Sequence, residues 1–467
     1  MGGFQFSRVP VPVPEVETRF RRIRTPIPNP ASLPILDDLE RYESRSMHGQ
    51  MPVVWDRASG FQVSDSSGNT WIDFTSTIFV TNAGHGNPRV KAALGEIIGH
   101  DLLHSYTYAT EIRARYLKRL VGATPPQLEK AFLLSSGTEA AECAIKLLRM
   151  HAQARGKRHG GIISFEDAMH GRTLGAQMLG GSPASRAWIG YEDPHIHRIP
   201  FPYPWVLWEE GREVSGEDRF HADIDRLLAR GIDPGSDLAG FILESYIGWG
   251  AVFFPPDYVR ALFRWAREQG LPVVFDEIQG GFGRTGKFFA YQHYGVEPDM
   301  VLCGKGISSC LPLSAVMGSR AMMDLPEVGS MSSTHSANPL SCAAGLATLE
   351  FLESRDLVEE AARRGEILFA GLHRLQERYP ERIRYVFGKG MLASLILADP
   401  ATGQPDPLTA SLVCEKAMQK GLLLVHTGRE SIKIGPPLTI EDEALGEGLS
   451  VLAESVGEVV EGRGGSR

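Results

Sequence analysis

Three stretches of this 467-residue chain end an apolar run with residues able to do chemistry. In LPVVFDEIQGGFGRTG (271–286) the run Leu271–Phe275 stops at Asp276 and Glu277, and a glycine-rich turn follows. A carboxylate at the end of a buried strand is costly unless it has a partner. In DMVLCGKGIS (299–308) Lys305 ends another run, between Gly304 and Gly306. A lysine there is easily desolvated, which lowers its pKa and frees a nucleophilic amine; the plainer alternative is a surface lysine at a turn. In FLLSSGTEAAECAIKLLRM (132–150) a run ends in Ser135-Ser136-Gly137-Thr138, and a helical pattern starts at once. Free N–H groups at a helix start suit a phosphate; the alternative is a simple N-cap with Glu139 in the first turn.

One cofactor uses all three. Pyridoxal phosphate (PLP) needs a lysine for a Schiff base, a carboxylate to keep its ring nitrogen protonated, and an anion cradle for its phosphate. Asp276 would then pair with a pyridinium, which offsets the cost of burying it.

The elements that must position these residues are legible as pattern. Short apolar runs at 130–136, 160–167, 238–245, 271–277, 299–306 and 313–319 alternate with helical stretches. That alternation predicts a mainly parallel sheet with helices on both faces, where ligands sit at the carboxyl ends of the strands. Asp276 and Lys305 lie one βα unit apart, so their strand ends can be neighbours. Residues 61–74 read as a hairpin, and 88–100 and 111–122 as helices. After Asn338 come a long helical stretch, apolar strands and a helix near 408–420, which together predict a smaller α+β domain joined by the N-terminal hairpin. GEVVEGRGGSR reads as a frayed tail. The expected division is an extended, proline-rich arm over 1–45, a first part of the small domain over 46–85, a large domain over 86–340 and the rest of the small domain over 341–467.

Bulk properties narrow the class. Net charge −8 and 22% charged residues argue against a nucleic-acid binder. No run approaches a membrane span, and the N-terminus lacks the layout of a signal peptide. Five cysteines without a CxxC pair predict free buried thiols, no disulfide, no metal site and a cytoplasmic location.

Taken together, SGTEAAECAIKLLR, MHGRT (169–173), FDEIQGGFGRTGKFFA (275–290), GKGISSCLPLSAVMG (304–318), THSANPLSCAAGLATLE (334–350) and GPPLTIEDE (435–443) resemble the class III (omega-type) aminotransferases of PLP fold type I, over roughly residues 50–455. The resemblance implies an α/β fold: a large domain with a mainly parallel sheet and helices on both faces, plus a smaller α+β domain. It implies that Lys305 is the Schiff-base lysine and proton-transfer base, and that Asp276 pairs with the pyridine nitrogen. Ser136, Gly137 and Thr138 would hold the phosphate, Met169 and His170 would lie against the ring, and Gln279 near its phenolic oxygen. Glu244 matches a family glutamate near the cofactor. Thr334 would reach the phosphate of a neighbouring subunit, making the enzyme a homodimer with shared sites.

The sequence also departs from the family pattern. Met169 stands where an aromatic usually precedes HGRT. A motif resembling EPIQGEGG reads ESYIGWGA (244–251), so Trp249 replaces a glutamate. The arginine that pairs with that glutamate in many members is Lys433 here. Arginine and lysine are not equivalent at a carboxylate fork, so carboxylate recognition is expected to be altered, with Lys433 as a point charge or Arg429 as a substitute. By family position Thr77, Ile78 and Phe79 line the substrate entrance, and Tyr106 does so from the partner subunit. With Trp249 they would form an aromatic-walled pocket suited to a bulky amine, an amino sugar or a hydrophobic amino acid. The small-molecule substrates would be an amine or amino-acid donor and a carbonyl acceptor. The alternatives are an amino-acid racemase or epimerase of the same family, an aminotransferase of aminoglycoside-type amino sugars, or a PLP-binding protein without turnover. Arg284 and the glycines around it are expected to serve turn architecture.

Overall fold

The computed structural model describes residues 4–464 apart from 206, 210 and 211. Its centre is a seven-stranded sheet: β1 Lys130–Leu134, β2 Gly161–Phe165, β3 Ile196–Ile199, β4 Leu238–Glu244, β5 Val273–Asp276, β6 Met300–Cys303 and β7 Ser314–Gly318. The spatial order is β1-β7-β6-β5-β4-β2-β3. All pairs are parallel except those of β7, which runs antiparallel to both β6 and β1. Every residue of β2, β4 and β5 is buried, as expected for parallel strands covered on both faces. Six of the seven strands coincide with the apolar runs of the sequence. The seventh, β3, is IHRI; His197 and Arg198 interrupt its apolar character, so no run betrays it.

Register then places the chemistry. Glu244 lies opposite Asp276 across β4 and β5, and Asp276 lies opposite Leu302 across β5 and β6. Lys305 follows three residues later, just past the end of β6. Because side chains alternate along a strand, the neighbouring acids Asp276 and Glu277 face different surroundings.

Two further sheets build the smaller lobe. Strands β8 Ile383–Lys389, β9 Leu392–Leu397 and β10 Ser431–Ile434 form an antiparallel sheet together with Val425–His426. The predicted hairpin pairs Gln62–Ser64 with Thr70–Asp73, and Leu422–Leu423 adds to it in parallel. The N-terminal hairpin and the C-terminal third therefore share one body.

The N-terminal arm lies on its own chain. Arg22–Ile23 pairs with the hairpin strand, Arg19 bonds Glu441 at 2.7 Å, and Arg21 bonds Glu447 at 2.6 Å. Exposed ion pairs contribute only about 0–1 kcal/mol each. Burial of Phe20, Ile23 and Ile27, worth roughly 1.5–3 kcal/mol apiece, is the larger hold. Two expectations are corrected. The arm is not extended throughout, since Leu33–Tyr42 forms a ten-residue helix with Pro34 in its first turn and no buried residue. The C-terminal segment is not frayed, because Asp442–Gly464 is one helix. Val451, Leu452, Val456 and Val459, buried at helical spacing, tie it to the core; Gly465, Ser466 and Arg467 lie outside the described residues. Among the described residues no helix is long and apolar enough to cross a membrane. All five cysteines are free, but Cys310 is exposed rather than buried.

Arg284 joins the two lobes. Its guanidinium is fully buried and donates to the carbonyls of Met391 (3.0 Å) and Pro436 (2.6 Å), to Asn82 Oδ1 (2.6 Å) and to Ser76 Oγ (3.2 Å). Burial lowers its pKa to about 10, so it remains charged at neutral pH. The architectural role expected of this residue fits its contacts. Replacing Arg284 with Met strands several buried acceptors at about 1–3 kcal/mol each. Urea unfolding of Arg284→Met should therefore show a loss of at least about 3 kcal/mol.

Candidate active site

The strand-end residues converge at the carboxyl edge of the sheet. Asp276, at the end of β5, is buried. Its Oδ1 accepts from the N–H of Ile278 at 3.0 Å, and its Oδ2 lies 2.9 Å from His170 Nδ1. Burial opposes charge on His170, but the hydrogen bond and charge of Asp276, with Glu244 behind them, outweigh it and raise the imidazole pKa. His170 Nε2 is buried without a hydrogen-bond partner among the described residues. Each carboxylate oxygen has a further lone pair, so Asp276 can still accept from a cationic ring nitrogen while His170 fixes its orientation.

Glu244, beside it, accepts from the N–H of Met169 at 2.9 Å. Burial pushes its pKa up to about 7. Glu277 is a structural acid. It is fully buried, its pKa is pushed up to about 7 by burial, and it accepts from Ser245 Oγ and from the N–H groups of Ala290 (2.8 Å) and Tyr291 (2.7 Å).

Lys305 has φ +45°, an uncommon backbone for a residue with a Cβ. It makes no hydrogen bond or ion pair among the described residues. Burial lowers the pKa of its amine against the opposing pull of Asp276 and Glu244. The shift is toward the neutral amine, the form that attacks a carbonyl.

The helix α1 Gly137–Ala154 begins where β1 ends. Glu139 accepts from the N–H groups of Ser135 and Ser136 and from Ser136 Oγ. Ser136 is therefore the cap, and the N–H groups of Gly137 and Thr138, the ones expected to face a phosphate, have no protein partner among the described residues. Position 137 admits only glycine, since a Cβ would come within 2.9 Å of the Ile278 side chain. Thr138 Oγ1 bonds Thr173 Oγ1 at 2.7 Å, which links the cradle to the MHGRT segment.

These residues fit PLP. A cradle of two free N–H groups, a buried carboxylate with spare acceptor capacity and a desolvated, unbonded lysine stand at three strand ends of one sheet.

The substrate-side residues are less concentrated. Lys433, on β10, is buried and donates to Gln279 Oε1 at 2.8 Å. Its ammonium lies 4.4 Å from the centre of the Phe79 ring. Burial first, then the charge of Lys305, lower its pKa to about 7. Phe79 belongs to a turn in which Ser76, Thr77, Ile78 and Phe79 all have φ between +47° and +68°. Left-handed backbone costs roughly 1–2 kcal/mol per residue, and such strain concentrates at functional sites. Arg284 and the carbonyl of Gly435, both bonded to Ser76 Oγ, help hold the turn.

Ile78 and Trp249 do not form the single pocket anticipated. Ile78 lines a cleft of about 350 Å³ with Met51 and Trp55, whereas Trp249 lines another of about 390 Å³. Trp249 Nε1 donates to Tyr203 Oη at 2.9 Å. Arg429 stacks 3.8 Å over the Trp249 ring and faces Asp167 and Glu430, so its charge is already engaged and it is no ready substitute for the missing arginine. Tyr106 and Thr334 are exposed and share one surface: Tyr106 Oη bonds Ser332 Oγ at 3.3 Å, and the Thr334 carbonyl accepts from His104 at 2.9 Å. Met169 is also partly exposed. Sequence reasoning did not single out Tyr203, Trp205 and Tyr385, because Tyr385 lies 180 residues beyond the Tyr203–Trp205 pair.

A family model described as aminotransferase class-III matches residues 44–456. A 4-aminobutyrate aminotransferase of Mycobacterium leprae (strain TN) is 32% identical over 446 residues, covering 94% of this chain and 98% of its own. An alanine/serine racemase of Pyrococcus horikoshii is 29% identical, covering 98% of this chain and 97% of its own. Among solved structures, an ornithine aminotransferase of Toxoplasma gondii, reported with partial occupancy of PLP at its active site, superposes with a TM-score of 0.79. It is 26% identical and covers 92% of this chain and 95% of its own.

With Asp276 holding the imidazolium, Asp276→Asn should lower the pKa of His170, because burial then acts against a weaker opposing charge. An NMR titration of the His170 ring protons in the two proteins would measure this. An unchanged pKa would mean that the Asp276 contact does not govern His170.

Proposed function

Because this chain belongs to the class III aminotransferases, PLP-dependent enzymes of fold type I, we propose that Lys305, Asp276 and the Gly137–Thr138 cradle are its catalytic and cofactor-holding groups. The observation that carries the assignment is their convergence. The carboxylate, the amine and the free N–H groups stand at the ends of β5, β6 and β1, each with the binding capacity that PLP uses. Bound there, PLP supplies a carbonyl for the amine of Lys305 or of the substrate, and a cationic ring that withdraws electrons.

The protein groups divide the remaining work. Asp276, oriented by His170, holds the proton on the ring nitrogen. The Gly137 and Thr138 N–H groups, aided by Thr138 Oγ1, hold the phosphate. Met169 packs on the ring, where a thioether makes a softer contact than an aromatic. Gln279 stands by the phenolic oxygen and is itself oriented by Lys433. Lys305 Nζ, its pKa lowered by burial, takes the proton from the amine-bearing carbon of the donor and returns it during transfer to the acceptor. Glu244 borders the ring and fixes the Met169 backbone.

Lys433 is the substrate's carboxylate anchor in this reading, a point charge with one N–H on Gln279 and others free. Ile78 and Trp249 bound the approach from two sides. Tyr106 and Thr334, exposed like the apolar Tyr108, Leu103 and Ile98 of the segment around Tyr106, complete the site of a second copy, so the working unit is a homodimer. The buried free thiols fit a reducing cytoplasm. The racemase alternative has a relative in its favour but no geometric feature of its own.

Absorption spectra of the PLP-loaded protein with alanine, glutamate, 4-aminobutyrate, diamines and amino sugars test the reaction. A donor that bleaches the yellow form to the pyridoxamine form establishes amino transfer. Lys305→Ala should bind PLP but lose turnover; normal turnover in that variant would overturn the assignment. Carboxylate capture by Lys433 needs its proton. KM for a carboxylate-bearing donor should therefore rise as pH climbs through about 7. Lys433→Arg stays charged and should flatten that rise. Below about pH 7 Lys433→Met should raise KM about tenfold or more, the equivalent of the roughly 1.5–3 kcal/mol of a charged hydrogen bond, and the difference from the parent should shrink at higher pH.

A further inference from the structure

The cleft between Trp249 and Tyr385 holds none of the groups assigned to the cofactor or to proton transfer, and only its Trp249 edge borders the substrate approach, yet it is built like a ligand site. Its volume of about 390 Å³ falls within the roughly 300–1,000 Å³ of small-molecule pockets. One wall is a row of rings. Tyr203 and Trp205 stack at 4.5 Å with 8° between their planes, and Trp205 stands 5.6 Å from Tyr385. Trp205 keeps 38% of its surface exposed, leaving an indole available to a flat apolar group.

The charges in the cleft are unequal in their commitments. Arg429 is held between the Trp249 face and two acids, Asp167 at 3.8 Å and Glu430 at 3.5 Å. Arg429 offsets one of these two acids, and Asp167 also accepts from Tyr203 Oη at 3.0 Å. Arg384 lies 5.5 Å from the Tyr385 ring centre and donates to the Gly403 carbonyl at 3.2 Å. It has no carboxylate partner among the described residues. The cleft thus offers a ring platform beside one guanidinium that has no carboxylate in contact among the described residues, and whose fork matches a carboxylate.

We propose that this cleft binds an aryl carboxylate, its ring on Trp205 and its carboxylate on Arg384. The cleft adjoins the catalytic site through the chain. Asp167 lies two residues before Met169, whose N–H bonds Glu244. Trp249 follows Glu244 in the same segment, and its carbonyl accepts from Ser431 Oγ at 2.9 Å, on the strand that carries Lys433. Occupancy would fix this loop beside the catalytic groups. The proposal does not depend on the role given to Lys305.

Isothermal titration of the PLP-loaded protein with phenylacetate and indole-3-acetate tests it. Both should bind, and hexanoate, phenethylamine and methyl glucoside should each bind at least about tenfold more weakly, since each lacks the ring, the anion or both. Trp205→Ala and Arg384→Gln should each weaken indole-3-acetate binding about tenfold, with melting temperatures close to that of the parent. No binding to the parent protein would overturn the proposal. So would parent-like affinity in both variants, equal binding of hexanoate or the glucoside, or loss of binding only in Lys433→Met, which would place the ligand at Lys433.

Discussion

The site depends on giving a buried carboxylate its hydrogen-bond partners in a place where burial works against charge. Asp276 sits at the end of a strand whose every residue is buried, in surroundings that push the pKa of neighbouring Glu244 to about 7. The imidazolium of His170 and the Ile278 N–H are what the protein itself provides to compensate. The same low-polarity setting also works against charge on Lys305, lowering the pKa of its amine. One environment therefore prepares an acceptor for a cationic ring and a nucleophile for a carbonyl. The two roles require the residues to be adjacent but not bonded, and the parallel register of β4, β5 and β6 sets that spacing.

Much of this was legible in the sequence because strand ends carry unusual residues. Apolar runs that stop at Asp276 or Lys305, or at a run of small residues before a helix, announce both the sheet and its working edge. Six of the seven central strands were visible that way, and β3 was not, because its identity comes from pairing with β2 rather than from composition. The Leu33–Tyr42 helix was hidden by the prolines before it, and the last helix by glycines whose helical state rests on valines reaching the core. Asp276 and Glu277 could not be separated as neighbours in sequence until strand alternation sent one to the cofactor edge and the other to the N–H groups of Ala290 and Tyr291. The aromatic row Tyr203–Trp205–Tyr385 joins two lobes and has no local signal.

The lobes are tied by polar contacts that also shape the site. Arg284 bridges segments from residue 76 to residue 436 and bonds Ser76 within the left-handed turn. That turn carries Phe79, and Phe79 underlies Lys433. A single buried guanidinium thus links the stability of the lobe junction to the position of the anchor proposed for substrate. Strain in four successive non-glycine residues persists only where the surroundings over-determine it, and here the supporting bonds come from both lobes.

The exchange of glutamate for Trp249 and of arginine for Lys433, relative to the family pattern, has one electrostatic logic. A buried arginine cannot discharge, so without its acid it would remain an unpaired charge in a poorly solvated site. A lysine can. With Trp249 turned toward Tyr203 and Arg429, no carboxylate forms an ion pair with Lys433 among the described residues, and burial brings its pKa to about 7. It is then neutral at little cost when the site is empty and gains its proton when a carboxylate arrives. Binding of an anionic substrate becomes coupled to uptake of a proton, a linkage that an arginine at the same position could not produce.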